Sequence, residues 1–324
     1  MGRLMTMSKA GAPLFRDPIH DGAADPTIIY NRQERSWWIV YTSRHANENC
    51  RGVAWVHGTD IGVACSRDGR ASWCYRGILQ GLEIEPGRNT FWAPEILWHA
   101  GQYHMYVSYV RGVPHDWKGE RHILHYTSGN LWKWSYETTL SLSSNRVIDA
   151  CVAKMPNGRW RMWYKDEANG SHTYAADSQD LYRWLVVGSV ITDCPHEGPN
   201  VFRWKNRYWM VTDPWDGLGV YHSANAERWE RQANILKGAG SRPDDGVKGS
   251  HADVLVAGER AFILYFTRPG RLASPTVASV PEVTSYNERR SSIQVAEFEF
   301  HNDLLLCNRD AEVTLDLGEE DNWY

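Results

Sequence analysis

The feature that most constrains the fold is a unit of two strands joined by a tight turn, which recurs five times along the chain. Each copy begins with a short apolar run, turns, and continues as a strand of alternating aromatic residues. The copies are DPTIIYNRQERSWWIVYTSR, APEILWHAGQYHMYVSYV, DACVAKMPNGRWRMWYKD, EGPNVFRWKNRYWMVTDP and HADVLVAGERAFILYFTR. Helical periodicity is hard to find between them, so the sequence predicts an all-β protein.

The spacing of the copies predicts the architecture. Most copies are followed by a third strand that ends in Ser or Asp and then Trp, as in ILHYTSGNLWKW. Repeats of about 50 residues with three or four strands are typical of propeller blades, so five copies predict a single five-bladed β-propeller. We place the blades at about residues 20–80, 90–140, 145–190, 195–235 and 248–305, with residues 311–324 as an edge strand or tail. A β-sandwich is the structural alternative, but it does not explain the repeated unit.

Composition limits the kinds of binding partner and the cellular compartment that we expect. A net charge of −4 argues against nucleic acid, whose binders carry basic patches. The N-terminus lacks the apolar segment of a signal peptide, and no apolar run is long enough to cross a bilayer, so we expect no membrane partner. Six scattered cysteines without a C-x-x-C pair argue against a disulfide framework and a zinc site. We therefore expect a cytoplasmic protein with reduced thiols.

Tryptophan and tyrosine are unusually frequent, with 17 and 16 residues against 7 Phe. Each combines a flat apolar face with a polar edge, which suits packing inside blades and stacking on sugar rings. Because large aromatic residues are mostly buried, we expect most of them to be core residues.

The residues at the heads of the five units are predicted to meet at the propeller axis. They are Asp25, Trp92, Asp149, Glu197 and His251. Asp149 and Glu197 each precede an aromatic residue of the second strand by eleven positions, which predicts equivalent places in their blades. Three carboxylates in one pocket suit either a hard cation or acid and base chemistry at a glycosidic bond. The alternative is that each acid only caps the entrance of its strand.

The segments around these heads resemble glycoside hydrolase family 43 and related five-bladed propeller glycosidases. They are DPTII, WAPE, VIDACV, HEGPNVF and GSHADV, and they occur in the family's order over about residues 20–270. The resemblance implies that Asp25 is the general base, that Glu197 is the general acid, and that Asp149 orients this acid and raises its pKa. Burial and the charge of Asp149 are expected to raise the pKa of Glu197 above its ordinary value.

Further residues are predicted to contact substrate. The resemblance maps the family's WAPE segment to a stretch that includes Trp92 and Glu95. It also maps the family's fifth-blade histidine loosely to His251, which would then hold an axial water or a metal ion. Trp215 and Arg242 lie in loops beside the fourth and fifth copies. His196 precedes Glu197, and in a related family acting on neoagaro-oligosaccharides a histidine has been considered as the acid. Because neighbours on a strand point to opposite faces, we expect His196 to support the site from behind.

The main functional hypothesis is an exo-acting, inverting glycosidase that releases one sugar from a short oligosaccharide. It requires no cofactor, and a structural calcium or other cation at the propeller axis is compatible with it. The alternatives are a sugar-binding propeller without catalysis and a related glycosidase that acts on (neo)agaro-oligosaccharides. Phosphorolysis is a further alternative. It needs a basic phosphate cradle beside the acid, and the blade heads themselves contain no Arg or Lys.

Overall fold

Five four-stranded antiparallel sheets form a ring, as the repeat predicts. The computed structural model describes residues 9–70, 72–271 and 284–318. In every sheet each strand pairs with the next along the chain. The first strand of each blade lies against the first strand of the next blade, and that of the fifth lies against that of the first. The protein is therefore a five-bladed β-propeller whose first strands surround the axis.

The blades are contiguous segments of the chain. The first contains β1 (Ala23–Asn31), β2 (Ser36–Ser43), β3 (Asp60–Ser66) and β4 (Cys74–Ile78). The second contains β5 (Thr90–His99), β6 (Gln102–Val110), β7 (His122–Ser128) and β8 (Ser135–Thr139). The third contains β9 (Val147–Lys154), β10 (Trp160–Asp166), β11 (His172–Ser178) and β12 (Leu185–Ile191). The fourth contains β13 (Glu197–Trp204), β14 (Arg207–Asp213), β15 (Leu218–Ser223) and β16 (Glu230–Ile235). The fifth contains β17 (Ser250–Ala257), β18 (Arg260–Thr267), β19 (Ser292–His301) and β20 (Leu304–Cys307).

Helical structure in the described residues is limited to two short elements. A 3-10 turn covers Ala54–Val56, and the α-helix α1 covers Tyr286–Arg289. Neither is long and apolar enough to span a bilayer.

The recurring Ser and Trp mark one turn, which joins the third and fourth strands. In the second blade Ser128 ends β7, and the side-chain carbonyl of Asn130 accepts N–H bonds from Trp132 and Lys133. Leu131 then adopts a left-handed backbone, with φ of 63°. The same conformation recurs at the equivalent residues of the third and fourth blades, Leu181 and Ala226. The Asp or Asn after the Ser therefore sets the turn by bonding to the backbone two and three residues ahead.

A separate apolar cluster fills each of the five contacts between blades. Trp38 and Met105 belong to the cluster between the first and second blades, and Trp209 and Phe262 represent two of the others. The remaining two join the third blade to its neighbours. These buried aromatic and branched side chains hold the blades together by removing apolar surface from water.

The ring closes where the first blade meets the fifth. Phe15 bridges to Ile293 of β19, and Lys9 bridges to Thr314 near the C-terminal end. Val313, Leu315 and Leu317 are all buried in the cluster that joins these two blades. This part of the predicted edge strand or tail thus seals the contact between the first and last blades, whereas residues 319–324 lie outside the described residues.

Candidate active site

Four of the five inner strands contain a β-bulge with a left-handed residue. These residues are Asp25, Ala93, Asp149 and Gly198, with φ of 47°, 46°, 59° and 57°. The strand pairing breaks its register at each of them. In three blades the next residue is Pro, which is tolerated at a bulge because no ladder N–H is required there. The bulges explain the DP, AP and GP pairs of the sequence, and they line a narrow axial channel.

The buried N–H groups at these positions are bonded by side chains of the preceding blade. The bonds run from Ala93 to Thr42 Oγ1 (2.9 Å), from Asp149 to Ser108 Oγ (2.9 Å) and from His251 to Asp213 Oδ2 (3.0 Å). In the third blade the equivalent residue is Lys165, whose ammonium group can only donate and so cannot accept an N–H bond. There Asp149 Oδ2 accepts the N–H of Gly198 instead, at 3.1 Å. The fourth blade is therefore joined to the third through an acid of the site itself.

The predicted equivalence of Asp149 and Glu197 is wrong. Glu197 pairs with Asp213, and the residue with the same register in the third blade is Ile148, paired with Lys165. Both acids lie eleven residues before an aromatic residue only because the loop between β9 and β10 is longer than the tight loop between β13 and β14. Glu197 thus lies one residue before its bulge, whereas Asp149 occupies the bulge itself.

Asp25 is held by a guanidinium group and lies beside the axial histidine. Nη2 of Arg44 donates to both oxygens of Asp25, at 3.0 and 2.9 Å. Nδ1 of His251 lies 3.5 Å from Oδ1 of Asp25. Arg44 is itself positioned over the ring of Phe266, 4.7 Å from the centroid. The Asp25 carboxylate therefore has a fixed orientation inside the ring.

Glu197 has a cationic neighbour that the sequence analysis did not foresee. Nζ of Lys165 lies 3.1 Å from Oε2 of Glu197 and 5.3 Å from the centre of the Trp215 ring. The expectation of a raised pKa is wrong. Burial does raise the pKa of Glu197, but the charges of Lys165 and His251 outweigh it and lower the pKa to about 2. Because the Lys165 side chain is only 5% exposed, water screens its charge little.

The pKa values of Asp149 and His251 at the axis are raised. Burial raises the pKa of Asp149 to about 6, and the charge of Glu197 adds to this shift while that of His251 opposes it. Burial alone would lower the pKa of His251, but Asp149 and Asp25 outweigh it and raise the pKa. Asp149 therefore keeps its proton to a higher pH than Glu197 does.

Gly198 is required where the fourth blade approaches the axial histidine. A Cβ atom at this position would lie 2.6 Å from Cδ2 of His251, closer than such atoms approach in proteins. Its φ of 57° is also one that glycine adopts without strain. The Gly after Glu197 therefore allows His251 to pack between Asp25 and the fourth blade.

The described residues do not assemble a metal site. They contain no group of three or more His, Cys, Asp or Glu side chains placed to hold an ion. The axial cation that the sequence analysis allows at His251 stays a prediction.

Two of the predicted substrate contacts lie in very different surroundings. Trp215 is 41% exposed and lines a cavity of about 430 Å³ next to the axial acids. Arg242 instead donates to Asp245 at 3.2 Å and to the carbonyl of Val295 at 3.0 Å. It is not among the residues that line this cavity. The structure thus places Trp215 at the site and uses Arg242 to tie its loop to the fifth blade.

Three other predicted contacts are engaged inside the protein. Trp92 is buried, and its ring N–H donates to the carbonyl of Val56 at 2.5 Å. Glu95 lines the narrow channel, and burial raises its pKa well above the ordinary value. The two ring nitrogens of His196 lie 2.6 Å from Thr173 Oγ1 and 2.8 Å from the carbonyl of Cys194. None of these three lines the larger cavity.

The sequence analysis missed the basic residues of the site. Arg44 and Arg268 directly follow β2 and β18, and Lys165 lies near the end of β10. The heads of the blades contain no Arg or Lys, but these three basic residues lie beside them. Second strands run antiparallel to first strands, so their ends lie beside the heads. The segments YTSR, WYKD and YFTR contained this signal.

Fold and site together define a five-bladed propeller with carboxylates from three blades at one end of its axis. No protein-family model matches the sequence, and no curated protein sequence matches it. Solved structures do match, and their shared fold is that of family-43 glycoside hydrolases.

Three of these structures illustrate the likeness. A thermostable family-43 glycoside hydrolase matches with a TM-score of 0.67 and 18% identity, covering 93% of this chain and 98% of its own. A family-43 β-1,3-galactosidase with galactodeoxynojirimycin matches with a TM-score of 0.65 and 13% identity, covering 92% and 97%. A β-xylosidase/α-arabinofuranosidase from a compost microbial metagenome, in complex with xylotriose, matches with a TM-score of 0.63 and 14% identity, covering 90% and 94%.

Proposed function

We propose that this protein is a glycoside hydrolase that removes a terminal sugar from a short oligosaccharide with inversion at the anomeric carbon. The observation that carries the proposal is the convergence of Asp25, Asp149 and Glu197 on His251. Glycosidic cleavage needs one carboxyl group to protonate the leaving oxygen and another to activate water. The fold shared with xylosidases, galactosidases and arabinanases supports the same reaction class.

Asp25 is proposed as the general base. Arg44 fixes its two oxygens, so the carboxylate can accept a proton from a water held in one direction. Asp25→Asn keeps the shape of the side chain but cannot accept that proton. We expect turnover to fall by about 10²- to 10⁴-fold in a variant that still folds. Retained turnover of the variant on any cleaved oligosaccharide would contradict this role.

Glu197 is proposed as the general acid, with Asp149 as the neighbouring carboxyl group that orients it. The Glu197 side chain is 29% exposed, compared with 6% for Asp25, and so it is the more accessible to a leaving group. Glu197→Gln should slow natural oligosaccharides strongly and aryl glycosides with acidic leaving groups much less, because the latter leave without a proton. Equal slowing of both substrates would assign the acid to another residue.

The inverting course is tested by the product. NMR of the first-formed sugar should show the opposite anomer to the substrate, and a substrate-bound structure should separate the carboxyl groups of Asp25 and Glu197 by about 6.5–9.5 Å. A separation near 5 Å with retention would point to a covalent intermediate instead.

A sugar-binding protein without catalysis is the second candidate, and one observation favours it. Lys165 lowers the pKa of Glu197 to about 2, which opposes the role of an acid at neutral pH. A panel of aryl glycosides and small plant and algal oligosaccharides separates the two candidates. Saturable binding without product release, unchanged by Asp25→Asn, would support the binding protein.

A further inference from the structure

The cavity of about 430 Å³ beside the acids is strongly basic. Trp215, Lys248, Ser250, Arg268 and Arg271 are among the residues that line it. Ser250 precedes the axial His251, and Trp215 also contacts Lys165. The cavity therefore adjoins the proposed catalytic groups, through Ser250 beside His251 and through Trp215 beside Lys165. Its volume suits a small ligand.

The basic residues of this cavity are only partly neutralised by the fold: Lys237 pairs with Asp216 at 2.7 Å, whereas Lys248, Arg268 and Arg271 have no direct hydrogen bond to a carboxylate of the described residues. Lys248 lies 3.8 Å from Asp213, which is too far for a direct hydrogen bond. No carboxylate of the described ranges forms an ion pair with Arg268 or Arg271. Arg44 lies close enough to repel both of them, and its own charge is paired with Asp25. Burial and the nearby Arg271 and Arg44 lower the pKa of Arg268 to about 9. Like charges held together in this way oppose folding unless an anion joins them.

The fold holds the two arginines together by a close backbone contact. The N–H of Arg271 donates to the carbonyl of Arg268 at 2.9 Å, which closes a tight turn after β18. A Cβ atom on Gly270 would lie 2.1 Å from the carbonyl oxygen of Asn287 in α1, so only glycine permits this approach. The turn is thus positioned by the helix, and both side chains line the same cavity.

We infer that the saccharide substrate carries an anionic group, a carboxylate or a sulfate ester, which binds in this cavity between Arg268, Arg271 and Lys248. Guanidinium groups suit both anions because their N–H donors match paired oxygens. Trp215 offers a face on which a sugar ring can stack. The protein as a whole has a net charge of −4, so this concentration of positive charge is local to the site. The inference rests on the proposed function, since it names the substrate class of that site.

Binding of free monosaccharides tests the inference without catalysis, because these sugars contain no glycosidic bond. The probes are galacturonate against galactose and galactose 6-sulfate against galactose, titrated into the wild-type protein and followed by NMR. We expect at least one anion to bind at least tenfold more tightly than galactose, with an affinity that falls as salt is added. The pair that shows the preference distinguishes carboxylate from sulfate.

Arg268→Gln should weaken binding of the preferred anion by roughly tenfold to a hundredfold and leave galactose unchanged. Arg207→Gln is the matched control, because Arg207 begins β14 at the end opposite Asp213 and pairs with Asp303 at 2.9 Å. Equal affinities for charged and neutral sugars, or equal losses in both variants, would overturn the inference. Consumption of inorganic phosphate during cleavage would overturn it too, since the anion would then be the attacking group.

The failure of the inference and that of the proposed function are distinguishable. Selective binding of the anion, lost in Arg268→Gln, without cleavage of any glycoside would leave the basic site in place and remove the hydrolase. Cleavage of neutral oligosaccharides with no preference for anions would leave the hydrolase and remove the basic site.

Discussion

Replacing Lys165 with Met tests whether Glu197 supplies the proton to the leaving group. Lys165 is buried and lies 3.1 Å from Glu197, and its charge is the main cause that lowers the pKa of this acid from 4.5 to about 2. Met retains most of the apolar stem but carries no charge. The burial of Glu197, which raises its pKa, is then opposed mainly by His251, and we expect the pKa to rise toward its ordinary value of 4.5.

The size of the effect follows from the two pKa values. A rise of about 2.5 units corresponds to about 3 kcal/mol, or about 300 times more protonated Glu197 at any pH above both values. In the wild-type protein the basic limb of kcat/KM should fall about tenfold per pH unit throughout the range from pH 4 to 7, because that limb reports the acid of the free enzyme. In Lys165→Met the fall should begin only above about pH 4.5.

The assay is the pH profile of kcat/KM on an oligosaccharide that the wild-type protein cleaves, with melting temperatures recorded at each pH. Lys154→Met is the matched control, because Lys154 is exposed at the far end of β9, with its ammonium group 5.7 Å from the centre of the Trp160 ring. An unchanged basic limb in Lys165→Met, with activity reduced at every pH, would refute the reasoning. Lys165 would then bind the substrate, and Glu197 would not be the acid.

Three further predictions concern stability. Burial keeps the pKa of Asp149 at about 6 against 3.8 for an ordinary Asp, so the native state loses up to about 3 kcal/mol as the pH rises through this window. Asp149→Asn should remove that loss. Urea unfolding at pH 4 and pH 7 checks whether the free energy of unfolding of the variant rises relative to that of the wild type at the higher pH. Gly198→Ala should cost more stability than Gly101→Ala, because both residues have a positive φ but only Gly198 faces His251 while nothing lies within 4 Å at Gly101. Equal losses would show that the contact with His251 is unimportant. Leu317→Ala should cost about 2–5 kcal/mol, since the side chain is fully buried in the closing cluster, whereas Leu304→Ala, at a residue 44% exposed, should cost far less. A small loss at Leu317 would mean that the C-terminal segment does not hold the ring closed.

The architecture could be predicted from the sequence because each blade repeats the same local signals. The turn marked by Ser128 and Asn130 recurs, and the alternation of aromatic residues in β2, β6 and β10 predicts strands directly. Such signals depend only on neighbouring residues, so a single sequence contains them.

The electrostatics of the site could not be predicted in the same way. The charge that controls Glu197 comes from Lys165 of another blade, and the group that fixes Asp25 comes from Arg44 beyond the next strand. The contact between Lys165 and Glu197 depends on how the third blade faces the fourth, and the contact between Arg44 and Asp25 depends on the register of the β1–β2 hairpin. The count that made Asp149 and Glu197 equivalent failed for the same reason, because hairpin lengths differ between blades.

The contact between Asp25 and His251 determines when in the life of the chain the site can form. Asp25 belongs to the first blade and His251 to the fifth, and they lie 3.5 Å apart across the closure of the ring. A growing chain that has already folded four blades contains all three carboxylates, but it lacks the histidine on which they converge. During synthesis the chain therefore passes through a state that contains the three carboxylates of the site but not its histidine. The contact between Asp25 and His251 forms only when the fifth blade meets the first, so assembly of the site reports that the ring has closed.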